Sequence, residues 1–407
     1  MADILFLAHR VPFPPDRGDR IRAHHLLKAL AEIAPVHVGC LAEVESRAGQ
    51  AALSELAVSH FIAPRRKPLA LAGIEAVLAG KPVSLTAFHS RRLEAWVRET
   101  IAARAIGAIV VFSGQMGQYV PADFTGRVVI DLCDVDSAKF EAYAATGERV
   151  WLNAREARLL AIEEERLGHR ADATLLVSEA EAALYRSRLT AAEAVAVRVI
   201  GNGIDADYFD PARVTAHPAM ADRPGPHLVF TGQMDYRPNE QAALWVIEAL
   251  LPRLRARFAG AAFHVVGRNP TRALMTHHGR PGVTIWGEVP DVRPFLAAAD
   301  AVIAPLLIAR GVQNKVLEAM AMARPVVLTP EAAMGIAARD GEHWLVSPPD
   351  PSAMAARIAA LLDQPATAVR IGTAARRFVL EQHAWRQMLA PLGDLLHVGA
   401  ARARDAA

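Results

Sequence analysis

The sequence predicts an α/β protein built of two doubly wound domains, and three observations carry that expectation. Short, continuous apolar runs alternate with longer amphipathic ones along the chain, a rhythm that suits parallel strands buried on both faces and covered by helices. The chain has 407 residues, 52% of them hydrophobic, which is more than one ordinary core holds and enough for two. Residues 210–227 place four prolines in eighteen positions between two such alternating halves, and that density resists both helix and sheet. The expected division is a first domain at 1–209, a linker at 210–227, a second domain at 228–382, and a helix-forming end with a frayed tail at 383–407 that packs back on the first domain.

The elements follow in order. Strand-like runs in the first half are 4–8, 36–40, 108–112, 128–132, 174–177 and 197–200, and in the second half 228–231, 263–266, 283–286, 301–304 and 326–329. After the first run, Gly18-Asp19 precedes "RIRAHHLLKALAEI", where Asp19 is positioned to cap and Leu26, Leu27, Leu30 and Ile33 form one apolar stripe. "SEAEAALY" opens at Ser178 with Glu181 three residues on, a capping box directly after a strand. Both place a helix N-terminus at the carboxyl end of a strand, where open α/β sheets bind ligands.

Composition excludes several function classes. With 45 basic and 43 acidic residues, a formal net charge of +2, no global field advertises nucleic acid. Cys40 and Cys133 are too few for a disulfide framework or a cysteine zinc site and point to a reducing, cytoplasmic setting. "MADILFLAHR" lacks the basic start and long apolar core of a secretion signal, and the most apolar stretches, 69–80 and 295–309, are broken and short of a membrane span. Arg65, Arg66 and Lys67 precede "PLALAGIEAVLAG"; this segment reads either as an ordinary domain helix or as a peripheral contact with the inner face of a membrane.

The segment "RGVQNKVLEAMAMARPVV", residues 310–327, carries the chemistry. A loop runs into a helix with Asn314 as its expected N-cap and Glu318 near its first turn. Glu318 then either complements the helix dipole or accepts hydrogen bonds from a sugar, and Lys315 is either solvated or pairs with a phosphate at the helix N-terminus.

This stretch resembles the signature of the family 4 retaining glycosyltransferases, in "VLEAMAMARPVV" especially. Further landmarks appear in the family's order: "LLVSEAE", "VIGNGIDADYF", "VFTGQMDYRPN" and "VTIWGEVPDVRPFLAAADAVIAPL". Within the family, "HRVPFPPDRGDRIR" and "MDYRPN" are most similar to sugar transferases associated with exosortase and exopolysaccharide systems. The resemblance implies the GT-B fold, two Rossmann-like domains facing a cleft, and no cofactor. It implies transfer of a sugar, with retention, from a nucleotide diphosphate donor to a hydroxyl of a glycan or lipid-linked glycan. It implies that Glu318 binds the donor ribose, that Gly232 lets backbone approach the diphosphate, and that Glu288 and Val289 present backbone to the nucleobase. Asn202, Gly203 and Asp205 would shape the cleft floor, and Gly18 and Asp19 would border the acceptor side, with Ser178 and Asp134 at neighbouring strand ends.

The chain departs from the family pattern at several positions. Gln233 and Pro238 stand where the family has Arg and Lys, so Arg237 or Arg268 is expected to supply the cation that the departing diphosphate needs. Arg310 replaces the first acidic residue of the signature, beside Gly311, whose missing side chain permits close approach to a ligand. Arg310 therefore joins Arg237 and Lys315 as a catalytic candidate, holding either the diphosphate or an acidic sugar. "DVD" at 134–136 reads as a metal-binding Asp-x-Asp or, in preference, as a strand end where Asp131 and Asp134 make polar contacts with no metal. Two alternatives stay open, a silent nucleotide-sugar-binding scaffold and an epimerase or hydrolase on the same fold.

Overall fold

The computed structural model describes residues 2–15, 18–43, 47–145, 147, 149–309 and 312–396, and it divides into two compact units, Met1–Gly201 with Leu389–Ala407, and Asn202–Met388. In the first unit, seven strands form one parallel sheet: β1 (Asp3–Ala8), β2 (Val36–Ala42), β3 (Ser59–Pro64), β4 (Ile106–Phe112), β5 (Arg127–Cys133), β6 (Ala173–Leu176) and β7 (Val197–Val199). Their spatial order is β3-β2-β1-β4-β5-β6-β7. The second unit has six: β8 (His227–Thr231), β9 (Ala262–Val266), β10 (Val283–Gly287), β11 (Ala301–Ala304), β12 (Val326–Leu328) and β13 (Leu345–Val346), ordered β10-β9-β8-β11-β12-β13. Both orders run outward from the first strand and then reverse, so each sheet has a topological switch point, between β1 and β4 and between β8 and β11.

The strands at these points are the most apolar. Every residue of β8 and β11 is buried, as is every residue of β1 after Asp3, consistent with helices covering both faces. The edge strand β3, "SHFIAP", is mostly half-buried and lacks a continuous apolar run; β13 has two residues. Neither stands out by composition, which is why eleven strands were legible while thirteen are present among the described residues.

Residues 210–227 are not a free linker. Met220 is fully buried, the His217 amide donates to the Pro294 carbonyl at 2.9 Å, and His217 stacks on Phe295 at 4.3 Å. The prolines forbid long elements but allow two short helices, Pro211–Arg213 and Pro218–Ala221, that pack on the second unit. The division between units falls earlier, at Gly201.

In the first unit, Arg22 and Asp131 form a buried ion pair at 2.8 Å, and Arg22 also donates to the carbonyls of Ile200 at 2.8 Å and Gly201 at 3.2 Å. Asp131 further accepts from the Cys133 amide at 3.1 Å. Burial is the largest single influence and opposes the Arg22 charge, yet Asp131, Cys133 and Asp134 together outweigh burial and the pKa rises. The expectation that Asp131 contacts a ligand fails, because Arg22 and Cys133 occupy its carboxylate.

Candidate functional site

Three neighbouring strands of the second unit end on glycine: "VFTG", "HVVG" and "TIWG" close at Gly232, Gly267 and Gly287. Gly232 and Gly267 have φ of 154° and 155°, and a Cβ on Gly267 would lie 1.6 Å from the Gly232 carbonyl oxygen. Only glycine allows that approach. The Gly232 amide donates to the Val266 carbonyl at 3.1 Å and the Gly267 amide to the Gly287 carbonyl at 2.8 Å, so bare backbone continues the sheet past its side chains.

Beside this edge lies the helix Asn314–Ala321, which enters from β11 at the switch point. Its N-cap is Gln313 rather than Asn314, since the chain turns helical at Asn314 and the Gln313 carbonyl accepts from the Val316 amide at 2.9 Å. Glu318 is accordingly its fifth residue, past the first turn, and Val316, Leu317, Ala319 and Met320 are buried. Lys315 passes over the Phe230 ring, 4.8 Å from its centroid, and donates to Asn239 Oδ1. Asn239, nearly fully buried, donates in turn to the Gln233 carbonyl at 2.9 Å. A Cβ on Gly232 would stand 3.1 Å from the Lys315 ammonium, so Gly232, Asn239 and Lys315 form one tight corner.

The electrostatics of this corner are incomplete. Burial depresses the Lys315 pKa to about 8, against an opposing effect of Glu318. Burial likewise raises the Glu318 carboxyl to about 7, with Lys315 pulling the other way. Among the described residues, Lys315 has no ion pair and nothing donates to the Glu318 carboxylate. A cation and a carboxyl, both perturbed and neither paired, mark a candidate ligand site.

Other expected residues fall around it or elsewhere. Arg237, exposed, begins the helix Arg237–Trp245; Arg268, also exposed, follows Gly267 and donates to Gln233 Oε1 at 3.2 Å. Glu288 and Val289 follow Gly287 at the end of β10. Arg310 and Gly311 lie outside the described residues. Gly203 has a packing role: a Cβ there would meet the Trp385 backbone nitrogen at 2.7 Å, and Ile204 pairs with Ala384. Asp205 accepts from the Tyr208 amide at 2.9 Å, a local turn contact, and Asn202 opens the second unit.

In the first unit, Asp19 is the second residue of the helix Gly18–Ile33, not its cap, and its carboxylate meets His9 Nε2 at 3.3 Å and Arg10 at 3.1 Å. His9, at the end of β1, was not singled out from sequence; its ring stacks on Phe112 with centroids 5.5 Å apart. Among the described residues, nothing beyond its own chain neighbours and helix backbone lies within 4 Å of where a Gly18 Cβ would be. Ser178 does cap its helix, accepting from the Glu181 amide at 3.2 Å. The reciprocal half of the capping box is missing, since Glu181 accepts instead from the Val135 amide at 2.9 Å. Asp134 has a raised pKa from partial desolvation and from Glu181 and Asp136. Among the described residues, no group of three or more potential ligands is placed to hold a metal.

The residue most clearly missed is Asn239. Its signal was present in "MDYRPN", where an Asn follows the strand-end glycine by seven residues, but nothing in one sequence shows that it meets Lys315. A cavity of about 290 Å³ lined by Arg339, Glu342, His343, Arg377, Phe378 and Glu381 includes none of these residues.

Comparison with known proteins bears on the same region. Residues 225–364 match the family described as Glycosyl transferases group 1, and the match lies wholly within the second unit. A glycogen synthase of Mycobacterium tuberculosis (strain CDC 1551 / Oshkosh) is 27% identical over 205 residues, 47% of this chain and 45% of that protein, so the chain spans about half the length of that relative. Among solved structures, sucrose-phosphate synthase from Thermosynechococcus elongatus superposes with a TM-score of 0.63 at 17% identity, covering 97% of this chain and 98% of that one. Anabaena HepE in complex with UDP and glucose gives 0.63 at 16% identity, covering 97% and 99%. These likenesses show the GT-B fold.

Proposed function

We propose that this protein is a retaining glycosyltransferase that takes a nucleoside diphosphate sugar as donor and a hydroxyl of a glycan or lipid-linked glycan as acceptor, in exopolysaccharide or other surface-glycan synthesis. The observation that carries the proposal is the corner of Gly232, Asn239 and Lys315 with Glu318 one turn on, at the switch point of a sheet whose strands end in bare backbone. The glycine edge, free of side chains, lets a diphosphate come close to the main chain, and the Lys315 ammonium faces its charge. Glu318, half desolvated, accepts from ribose hydroxyls. Binding of UDP by HepE, a protein of the same fold, supports a nucleotide donor.

In the transfer, the bond from the sugar's anomeric carbon to the diphosphate oxygen breaks and a bond to the acceptor oxygen forms on the same face. The acceptor proton leaves with the diphosphate, so the protein need supply no nucleophile. Its contribution is orientation and stabilisation of the leaving charge by Lys315, with Arg237 and Arg268 exposed at the same strand ends. Arg310 is proposed on the sequence alone as a further diphosphate partner, and Arg310→Glu is expected to abolish transfer. A lipid-linked acceptor would bring the protein to the inner face of a membrane.

A panel of nucleotide sugars tests the proposal by thermal shift. A donor at ~100 times its dissociation constant adds ~2.7 kcal/mol of stability. Glu318→Ala should weaken that donor by ~1.5 to 3 kcal/mol, the range for hydrogen bonds to a charged group, and leave the fold intact. If no nucleotide sugar stabilises the protein, the proposal fails.

A further inference from the structure

The helix Leu69–Ala79 is apolar on both its faces. Ala72 and Ala76 are buried inward, while Leu69, Leu71, Ile74, Val77 and Leu78 point outward, Leu78 with 83% of its surface exposed. Its one charged residue, Glu75, is paired with Lys67 at 2.6 Å. A surface helix normally turns polar residues to water, and single exposed apolar side chains need no explanation, but five on one helix do.

The patch extends onto a second helix, Val150–Arg170. Arg155 donates to the carbonyls of Ala76 at 2.8 Å and Lys81 at 3.1 Å, which ties the two helices together at the C-terminal end of the first. Glu156 accepts from the amides of Val83 and Ser84 at 2.7 and 2.8 Å, fixing the next turn of chain to the same helix. One turn before Arg155, Trp151 is 69% exposed, beside exposed Val150. The apolar surface is therefore held rigidly within the first unit and carries an aromatic residue at its border.

Charge indicates what covers it. Residues 65–83 and 149–155 hold six basic side chains, Arg65, Arg66, Lys67, Lys81, Arg149 and Arg155, and one acidic one, Glu75. Arg66, Lys81 and Arg149 are exposed and make no ion pair among the described residues. They stand just before the apolar helix, just after it, and at the start of the second helix. A second copy of this chain would bring the same positive rim against itself. An anionic bilayer offers the complement: acyl chains for the apolar crown, phosphate for the basic rim, and the interfacial depth that tryptophan prefers. No described helix is long and apolar enough to cross a membrane, so the contact lies on the surface.

We propose that the outward face of the helix Leu69–Ala79, with Val150, Trp151 and the rim of Arg66, Lys81 and Arg149, docks on an anionic lipid bilayer. The proposal deepens the lipid-linked-acceptor reading and rests on it for its purpose. The full chain is to be sedimented with vesicles of phosphatidylcholine alone and of phosphatidylcholine mixed with phosphatidylglycerol. Binding is expected to the mixed vesicles, falling as salt is raised. Ile74→Glu with Leu78→Glu should lower vesicle affinity at least ~10-fold, and Arg66→Glu with Lys81→Glu should remove the preference for anionic lipid. Thermal shift by a nucleotide sugar, measured on the same preparations, should be unchanged in both variants. Lost vesicle binding with intact donor binding in wild type would overturn the surface and spare the proposed function; the reverse would overturn only the function. A wild-type dimer that Leu78→Glu dissociates would assign the face to a second copy and overturn the membrane proposal.

Discussion

Two desolvated charge clusters in this molecule, one buried and one half-buried, are built to opposite specifications. In the first unit, Arg22 meets Asp131 and two carbonyls, and Asp131 meets the Cys133 amide as well. In the second, Lys315 meets the neutral amide of Asn239 and the face of the Phe230 ring but no counter-charge among the described residues, and Glu318 meets no donor among them. The consequence is visible in the titration behaviour. The Arg22 pKa rises despite burial, whereas burial wins at Lys315 and Glu318 and drives both towards their neutral forms. A completed cluster holds a fold together; an incomplete one marks a candidate ligand site.

The largest effect should come from breaking the completed cluster. Arg22→Leu leaves Asp131 charged in the interior without its counter-charge, and the expected loss is ~3 to 5 kcal/mol in denaturant unfolding. A loss under ~1 kcal/mol would mean the pair does little for the first unit.

A second completed network shows that the contrast follows the site and not the unit. Trp286 donates to His264 Nδ1 at 3.2 Å, His264 Nε2 donates to His227 Nδ1 at 3.0 Å, and His227 Nε2 donates to the Arg223 carbonyl at 3.1 Å. The carbonyl can only accept, so this direction requires both imidazoles neutral. Desolvation, with His227 next, lowers the His264 pKa from 6.5 to about 4. The unfolded chain then takes the proton first as pH falls. Stability should be fully present above pH ~6.5, fall by ~3 kcal/mol by pH ~4, and stop falling from this cause below that. In His264→Phe, that segment of the pH profile should flatten; an unchanged profile would remove His264 from the account.

The incomplete cluster should respond in the opposite way. Lys315→Met removes a desolvated charge, so unfolding stability should hold or rise, while donor affinity drops ~10- to 100-fold. A variant that unfolds more easily would show that Lys315 is structural. The smallest effect is at a helix end: Ser178→Ala should cost ~1 kcal/mol through the lost cap and leave donor affinity untouched, as thermal melts with and without donor would show.

Eleven of the strands were legible because a strand buried on both faces needs an unbroken apolar run, and few other elements produce one. The proline-dense stretch at 210–227 misled because proline count reports on element length, not on burial; Met220 and His217 pack there regardless. Glu318 and Lys315 stand out through the resemblance of "NKVLEAMA" to a family signature, and their separation along one helix is local information. The Gly232–Asn239–Lys315 corner is not local, since it joins positions 76 apart at the Lys315–Asn239 contact. Asp131 was misjudged for the same reason: Arg22, 109 residues away, claims it.

The central claim is that Lys315 is held desolvated and unpaired for a diphosphate. Calorimetric titration with UDP at pH 7 and pH ~9.5, on wild type and Lys315→Met, tests it most directly. With a Lys315 pKa of about 8, the ammonium is present at the lower pH and largely lost at the higher one. Wild type should bind at least ~10-fold more weakly at the higher pH, and Lys315→Met should bind weakly at both with little difference between them. Equal affinity of Lys315→Met and wild type at pH 7 would contradict the account.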